Sequence, residues 1–188
     1  MEQLTASLVD KCLIATPAIK DPIFASSLIY MCEHNEGGSM GLVVNHETSQ
    51  VLDDVFRQLD IHCEDDAIKK QPVYVGGPVQ LEQGFVLHSN GGHWQNSVEV
   101  STDIHLTSSL DILQSIADAR GPQDYLVILG FSGWASGQLE SELQQNSWLT
   151  AACDADLLFH QKPEDKWQVA FDTLGFDINM LSPVSGNA

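Results

Sequence analysis

Tyr125-Leu126-Val127-Ile128-Leu129 is an unbroken apolar run. A strand with one wet face alternates apolar and polar residues, so a run with no polar break predicts a strand covered on both faces, in the middle of a sheet. The rest of the chain must then supply strands on either side of this segment and helices or loops above and below it.

The N-terminal half reads as those neighbouring strands. Cys12–Thr16 and Leu28–Cys32 are short apolar runs, the first ending at Pro17. Gly37-Gly38 marks a turn into Gly41–Asn45, which predicts an antiparallel hairpin. Val73–Val75 and Phe85–His88 are extended stretches on either side of Gly76-Gly77-Pro78, while Ser97–Val100 and Ile104–Leu106 suit a sheet edge. Helical spacing appears first at Val51–Leu59, with Leu52, Val55, Phe56 and Leu59 on one face. It returns after Ser108, where Asp111 three residues on resembles a capping box and Ile112, Leu113, Ile116 and Ala117 form a stripe that Gly121-Pro122 ends. A helix opening near Gln138 carries Leu139 and Leu143 inward, Trp148–Ala151 and Leu157–Phe159 are predicted extended, and Pro163 opens a last helix with Trp167, Ala170, Phe171 and Leu174 on one side and Gly175 at its end. The fold class expected is α+β, one domain over residues 1–188, with helices on a mostly antiparallel sheet.

Charge narrows the function. Eight basic and 26 acidic residues among 188 give a net −18. Nucleic-acid binding runs on phosphate neutralisation by clustered Lys and Arg. Here only Lys69 and Lys70 are adjacent, and no cation lies between Lys70 and Arg120 or between Arg120 and Lys162. So strong a negative field repels DNA and anionic membranes and favours cationic partners. The N-terminus lacks the basic stretch and apolar run of a signal peptide, and no segment approaches the roughly 20 apolar residues that span a bilayer. Cys12, Cys32, Cys63 and Cys153 form no C-x-x-C pair, so reduced thiols in a cytoplasmic protein are expected.

Four stretches carry a resemblance. They are Tyr30-Met31-Cys32-Glu33-His34-Asn35 with Gly38-Ser39-Met40-Gly41-Leu42-Val43-Val44-Asn45; Val73-Tyr74-Val75-Gly76-Gly77-Pro78-Val79; Gly84-Phe85-Val86-Leu87-His88; and Gly130-Phe131-Ser132-Gly133-Trp134 continuing through Gly137-Gln138-Leu139-Glu140 to Asn146-Ser147-Trp148-Leu149. In this order the sequence resembles the bacterial YqgE/AlgH family over essentially its whole length. The resemblance implies a small cytosolic protein with a curled antiparallel sheet and flanking helices. It implies little about chemistry: one branch carries a name linked to transcriptional control of alginate production, but the family has no established enzymatic activity. The chain departs from the family's pattern at Glu47, where Pro is usual, at Gln83, where Arg is usual, and at Asn187, where the family tends to end Gly-His-Ala.

Several constellations could carry chemistry. Gly130-Phe131-Ser132-Gly133, between a strand and a helix, has the context of a nucleophile elbow, with Asp154, Asp156 and His160 following in order. Trp134, however, stands where G-x-S-x-G requires its second glycine. Cys32 and His34, two apart on a predicted strand, would share a face as a thiolate–imidazole pair, with Glu33 and Asn35 opposite. His34, His88 and Glu140 could meet as a metal-binding module, although no H-E-x-x-H or helical i, i+4 histidine pair exists. Gly76-Gly77-Pro78 lacks the Lys and Ser/Thr of a phosphate loop and reads as a tight turn. Gln138 and Glu142 fall on one helix face with Asn146 a turn beyond, Glu140 points elsewhere, and Trp134 and Trp148 bracket the helix as walls of a shallow site or interface.

The expectation is a protein without a catalytic residue, metal or cofactor, acting through a protein or small-molecule contact with an indirect, transcription-linked regulatory role and no direct contact with nucleic acid or membrane. Its candidate binding residues are Glu33, His34, Asn35, Asn45, His88, Trp134, Gln138, Glu140 and Asn146. The alternatives are a hydrolase using Ser132 or Cys32, or a metal module at His34 and His88.

Overall fold

The structure, a computed structural model, describes residues 7–175, so Asn187 lies outside the described residues. Its strands are β1 (Lys11–Ala15), β2 (Leu28–Asn35), β3 (Gly38–Val43), β4 (Glu47–Val51), β5 (Pro72–Val75), β6 (Val79–Ser89), β7 (Ser97–Glu99), β8 (Ile104–Thr107), β9 (Tyr125–Ala135) and β10 (Trp148–Ala152). The helices are α1 (Leu52–Gln58), α2 (Asp66–Lys69), α3 (Leu110–Ala117), α4 (Gln138–Gln144) and α5 (Pro163–Asp172), with a π-helical turn at Asp156–His160.

β9 is the axis of the sheet, as its apolar run predicts. Its first half lies between β5, paired in parallel from Val73↔Val127 to Val75↔Leu129, and antiparallel β6. Its second half pairs with β3 from Gly41↔Ser132 to Gly38↔Ala135. The strand order is β10-β1-β2-β3-β9-β6-β8-β7, with β4 and β5 joined beside β9, and β5–β9 is the single parallel pairing among the described strands. Leu126 and Ile128 enter one core cluster and Val127 another, so both faces of β9 are buried. Each such side chain stabilises by roughly 1.5–3 kcal/mol relative to exposure.

The largest cluster draws residues from β10 at one end of the order and β8, next to the other end, together with Ala170 and Phe171 of α5. The sheet therefore curls around it. α1 and α3 cover β5, β6 and β9 with Leu52, Val55, Phe56, Ile112, Leu113 and Ile116. α4 covers a third cluster, placing Leu139 over Ile29, Met31, Val43, Trp134 and Trp148. The fold is α+β, with a curled, mostly antiparallel sheet flanked by helices.

Four local expectations are corrected. Leu157–Phe159 is a π-helical turn rather than a strand, because Asp154 accepts the Leu157 N–H on its carboxylate (2.8 Å) and the Leu158 N–H on its carbonyl (3.1 Å), and the adjacent Leu157 and Leu158 both reach the core. Ser109, not Ser108, precedes α3, and its hydroxyl bonds the Asp111 carboxylate and the Gln95 carbonyl. α3 stops before Gly121-Pro122, in a turn that places Ala119 at φ 54°. Lastly, Cys12 and Cys153 are not free thiols but a disulfide closing 141 positions of sequence, with Cα atoms 5.5 Å apart where β1 pairs with β10. Cys32 and Cys63 are the free cysteines.

Candidate functional site

A recess of about 320 Å³ opens where five segments of the chain meet. Ile19 and Phe24 come from the loop after β1, Pro78 from the glycine turn after β5, Gly133 and Trp134 from the end of β9, Gln138 and Glu142 from α4, and Ser147 and Trp148 from the start of β10. Trp134 stands nearly perpendicular to Trp148 (82°, centroids 6.0 Å apart), and Phe24 nearly perpendicular to Trp148 (84°, 5.8 Å). Edge-to-face rings match the positive edge of one π-system to the negative face of the next.

Glu142 organises this arrangement. Its Oε2 accepts the indole N–H of Trp134 (2.9 Å) and that of Trp148 (2.8 Å), while Oε1 accepts the Gln138 side-chain amide (2.9 Å). Gln138 in turn accepts the Ala135 N–H (3.0 Å), which fixes the entry of the chain into α4. The i, i+4 spacing of Gln138 and Glu142 thus does what the sequence implies. Glu142 itself was absent from the candidate residues, although its position on that face between two tryptophans was signal enough to find it. Ile19, Phe24 and Pro78 carried no comparable signal, because they arrive from distant loops.

Glu140, two residues earlier, points to the opposite flank of α4. There its Oε1 lies 2.8 Å from His34 Nε2, and His34 Nδ1 accepts the Leu8 N–H (3.1 Å). A backbone N–H can only donate, so these contacts select the tautomer with hydrogen on Nε2, which donates to Glu140. The His34 hydrogen bond holds the Glu140 carboxyl below the usual range. α4 is therefore gripped on both sides, by His34–Glu140 and by Glu142 with its indoles.

The other candidates do not join the recess. Asn35 bonds Glu33 (2.6 Å) and accepts the Gly37 N–H (2.8 Å), which shapes the β2–β3 turn. Asn45 accepts the Leu28 N–H (2.8 Å) and donates to the Ser26 carbonyl (2.9 Å). Asn146 is a turn residue at φ 56°, whose carbonyl accepts the Thr16 hydroxyl (2.8 Å). His88 is buried, with Nδ1 2.9 Å from the Ser89 carbonyl and Nε2 2.8 Å from the Thr107 hydroxyl, and burial lowers its pKa.

The metal reading fails on distance. His88 pairs with Tyr125 at one end of β9, whereas His34 pairs with Ser39, which pairs with Trp134 at the other. Tyr125 and Trp134 are nine steps apart along β9, up to about 30 Å at ~3.3 Å per residue.

Neither proposed nucleophile is available. β9 continues through Ser132 to Ala135, so beyond a local kink at Gly130 (φ 70°) the expected elbow is strand, with Phe131, Ser132 and Gly133 paired to neighbours. Ser132 is fully buried and donates to the Gly76 carbonyl (2.9 Å). This bond belongs to the close approach of the glycine turn: Gly77 has φ 149°, and a Cβ there would lie 2.4 Å from the Phe131 carbonyl and from Ser132 Oγ. His160 is bound to Asp124 (3.0 Å), eight positions from Ser132 and at the far end of β9.

The Cys32–His34 pair is broken by a β-bulge. Met31 pairs with Gly41 but Glu33 with Met40, so the parity of β2 changes at Cys32. Cys32 packs on the largest cluster and His34 turns to α4 on the other face. Burial drives the Cys32 thiol pKa upward, away from a reactive thiolate.

A second cleft, about 190 Å³, lies between α1, α3 and β6 and is lined by Val55, Leu59, Phe85, Leu110 and Leu113 among others; none of the candidate residues lines it. No helix among the described residues is long and apolar enough to cross a membrane.

Comparison with known proteins accords with this geometry. The profile of a family described as AlgH-like matches residues 12–179. A UPF0301 protein of Dechloromonas aromatica is 45% identical over 182 residues, covering 97% of this chain and 98% of its own. A UPF0301 protein of Xanthomonas campestris pv. campestris is 44% identical over 188 residues, the full length of both. The solution structure of the AlgH protein from Pseudomonas aeruginosa superposes with a TM-score of 0.80 at 38% identity, covering all of both chains. A crystal structure of a Corynebacterium diphtheriae protein, 18% identical, shares the fold with a TM-score of 0.74 over 97% of this chain and 95% of its own. Profile, relatives and fold agree: the chain belongs to the AlgH-like (UPF0301) family.

Proposed function

We propose that this protein is a non-enzymatic, cytoplasmic binding protein that makes its contact at the Trp134–Glu142–Trp148 recess and influences transcription only indirectly. The observation that carries this reading is the convergence of five chain segments on two indoles and one carboxylate, while Ser132 is buried in the sheet and Cys32 is half-buried against the largest cluster with its thiol pKa raised. Aromatic walls with a few fixed polar groups are what binding sites present.

Charge supports the absence of direct DNA contact. Arg57, Lys69 and Arg120 pair with Asp53, Asp66 and Asp118, and Lys166 is buried. That leaves Lys11, Lys20, Lys70 and Lys162 without a salt bridge among the described residues, too few for a phosphate-tracking stripe.

The test is a fragment screen on the full chain, read by backbone amide shifts, beside labelling with fluorophosphonate and iodoacetamide probes. Fragment hits are expected to move amides at Phe24, Gly133–Ala135 and Trp148, and the native protein should show no Ser132 or Cys32 adduct. Hits confined to the cleft between α1 and α3, or labelling abolished by Ser132→Ala or Cys32→Ala in a folded variant, would overturn it.

A further inference from the structure

Resting on that reading of the recess, we infer that its ligand is an organic cation, an alkylated ammonium or a guanidinium group. Three observations select this class. The walls are aromatic: Phe24, Trp134 and Trp148 stand in successive perpendicular contact around the opening. Both indoles spend their N–H groups on Glu142 and are otherwise buried, Trp134 7% and Trp148 4% exposed, so the little surface they leave a ligand is ring rather than donor, and Phe24, half-buried, supplies the more open ring. The rim carries a carboxylate with no counter-ion: no Lys, Arg or His among the described residues pairs with Glu142, and no cation lines the recess.

Competing classes fit badly. An anion would face Glu142 with every nearby indole N–H already engaged. A neutral apolar ligand would strip water from a charged carboxylate and return no compensating interaction. A cation with an apolar shell satisfies the rings through its hydrocarbon surface and the carboxylate through its charge. Glu142 Oε1, which accepts one bond from Gln138, retains acceptor capacity for a guanidinium or ammonium N–H. The overall charge of −18 concentrates such ligands around the molecule before they bind.

The experiment titrates the full chain with choline, with guanidinium, and with 3,3-dimethylbutan-1-ol, the neutral isostere of choline, following the indole N–H resonances. Two further arms use short peptides, one bearing arginine and one trimethyllysine, so that a free small cation and a cationic side chain are told apart. At least one cation or cationic peptide should shift the Trp134 and Trp148 signals saturably, bind at least tenfold more tightly than the isostere, and weaken as salt is raised. Glu142→Gln, which keeps one acceptor oxygen but removes the charge, should reduce that preference at least fivefold, and Phe24→Ala should weaken binding without touching the carboxylate. Equal binding of choline and its isostere would overturn the cationic class while leaving the recess as a binding site. No response to any cation, in a protein whose recess does respond to neutral fragments, would likewise overturn it. A recess silent to every fragment and cation would overturn the binding reading itself.

Discussion

The indole nitrogens of Trp134 and Trp148, fourteen positions apart in sequence, converge on one carboxylate oxygen of Glu142, at 2.9 and 2.8 Å. The contact ties the end of β9 to the start of β10 through α4 and sets the angle between the two rings. Hydrogen bonds to a charged acceptor contribute about 1.5–3 kcal/mol each, and removing the acceptor strands its donors. Glu142→Ala should therefore destabilise the fold by roughly 2–4 kcal/mol in urea denaturation. A double-mutant cycle with Trp134→Phe should give a coupling of about 1 kcal/mol or more; additivity within 0.3 kcal/mol would contradict the shared contact.

Ser132 is structural, and a pair of substitutions separates that role from a catalytic one. Ser132→Ala loses one neutral hydrogen bond, while the Gly76 carbonyl keeps the Val43 N–H (2.9 Å). The expected cost is about 1 kcal/mol. Gly77→Ala instead puts a Cβ against the Phe131 backbone at a φ that L-residues avoid, and should cost roughly 3 kcal/mol or more. Thermal unfolding ranks the two; equal losses would refute the close-approach account.

Much of the scaffold was legible because burial and period coincide. Tyr125–Leu129 is unbroken because β9 is covered on both faces, and α3 and α5 display their buried stripes at helical spacing. Other features were not, for specific reasons. Gly130-Phe131-Ser132-Gly133 has the composition of a turn, and Gly130 does kink at φ 70°, yet neighbours on both sides hold Phe131–Gly133 in the strand. The bulge at Cys32 reverses side-chain parity and leaves no mark in composition. Leu157-Leu158 is a buried pair that fits either a strand or a tight helical turn. At the site, the Gln138–Glu142 face and the bracketing tryptophans were readable from spacing. The arrival of Ile19, Phe24 and Pro78 depends on long-range packing and was not.

Lys166 gives the fold a dependence on alkaline pH. It is buried, donates to the carbonyls of Val44 (3.0 Å) and Leu158 (2.6 Å), and sits 5.4 Å from the Tyr74 ring centre. Burial lowers its pKa from 10.5 to about 8. Between about pH 8 and 10 the unfolded chain therefore holds a proton that the folded chain has released, so stability rises with pH, by at most about 1.4 kcal/mol per pH unit. The neutral amine still has two N–H groups for the two carbonyls. Cys32, whose thiol burial raises above its ordinary 9.0, acts in the opposite sense from about pH 9, and Tyr30 and Tyr74, likewise raised by burial, join it near pH 10, so the window closes above about pH 9. Chemical denaturation from pH 7.5 to 9 should show the rise in the native protein and a flatter profile in Lys166→Met. A native profile that falls through this range would contradict the assignment.

The Cys12–Cys153 bond predicts a thiol count. Mass spectrometry after alkylation in denaturant should find two modified cysteines, Cys32 and Cys63, without reductant and four with it. By loop entropy, closing 141 positions stabilises by at most about 5 kcal/mol, so Cys153→Ala should lower the urea midpoint under oxidising conditions and leave it nearly unchanged under reducing ones. Four thiols without reductant would contradict the pairing.

The four indole N–H resonances offer the most direct measurement of the central claim. Trp134 and Trp148 line the recess, whereas Trp94, bonded to Ser115 (3.1 Å), and Trp167, bonded to the Ala15 carbonyl (3.0 Å), do not line it. With the signals assigned by Trp→Phe substitution, titration of choline and guanidinium into the labelled full chain should move the Trp134 and Trp148 peaks together along one saturation curve and leave Trp94 and Trp167 in place. Movement of Trp94 or Trp167 with Trp134 and Trp148 unmoved would place the contact elsewhere and contradict the account.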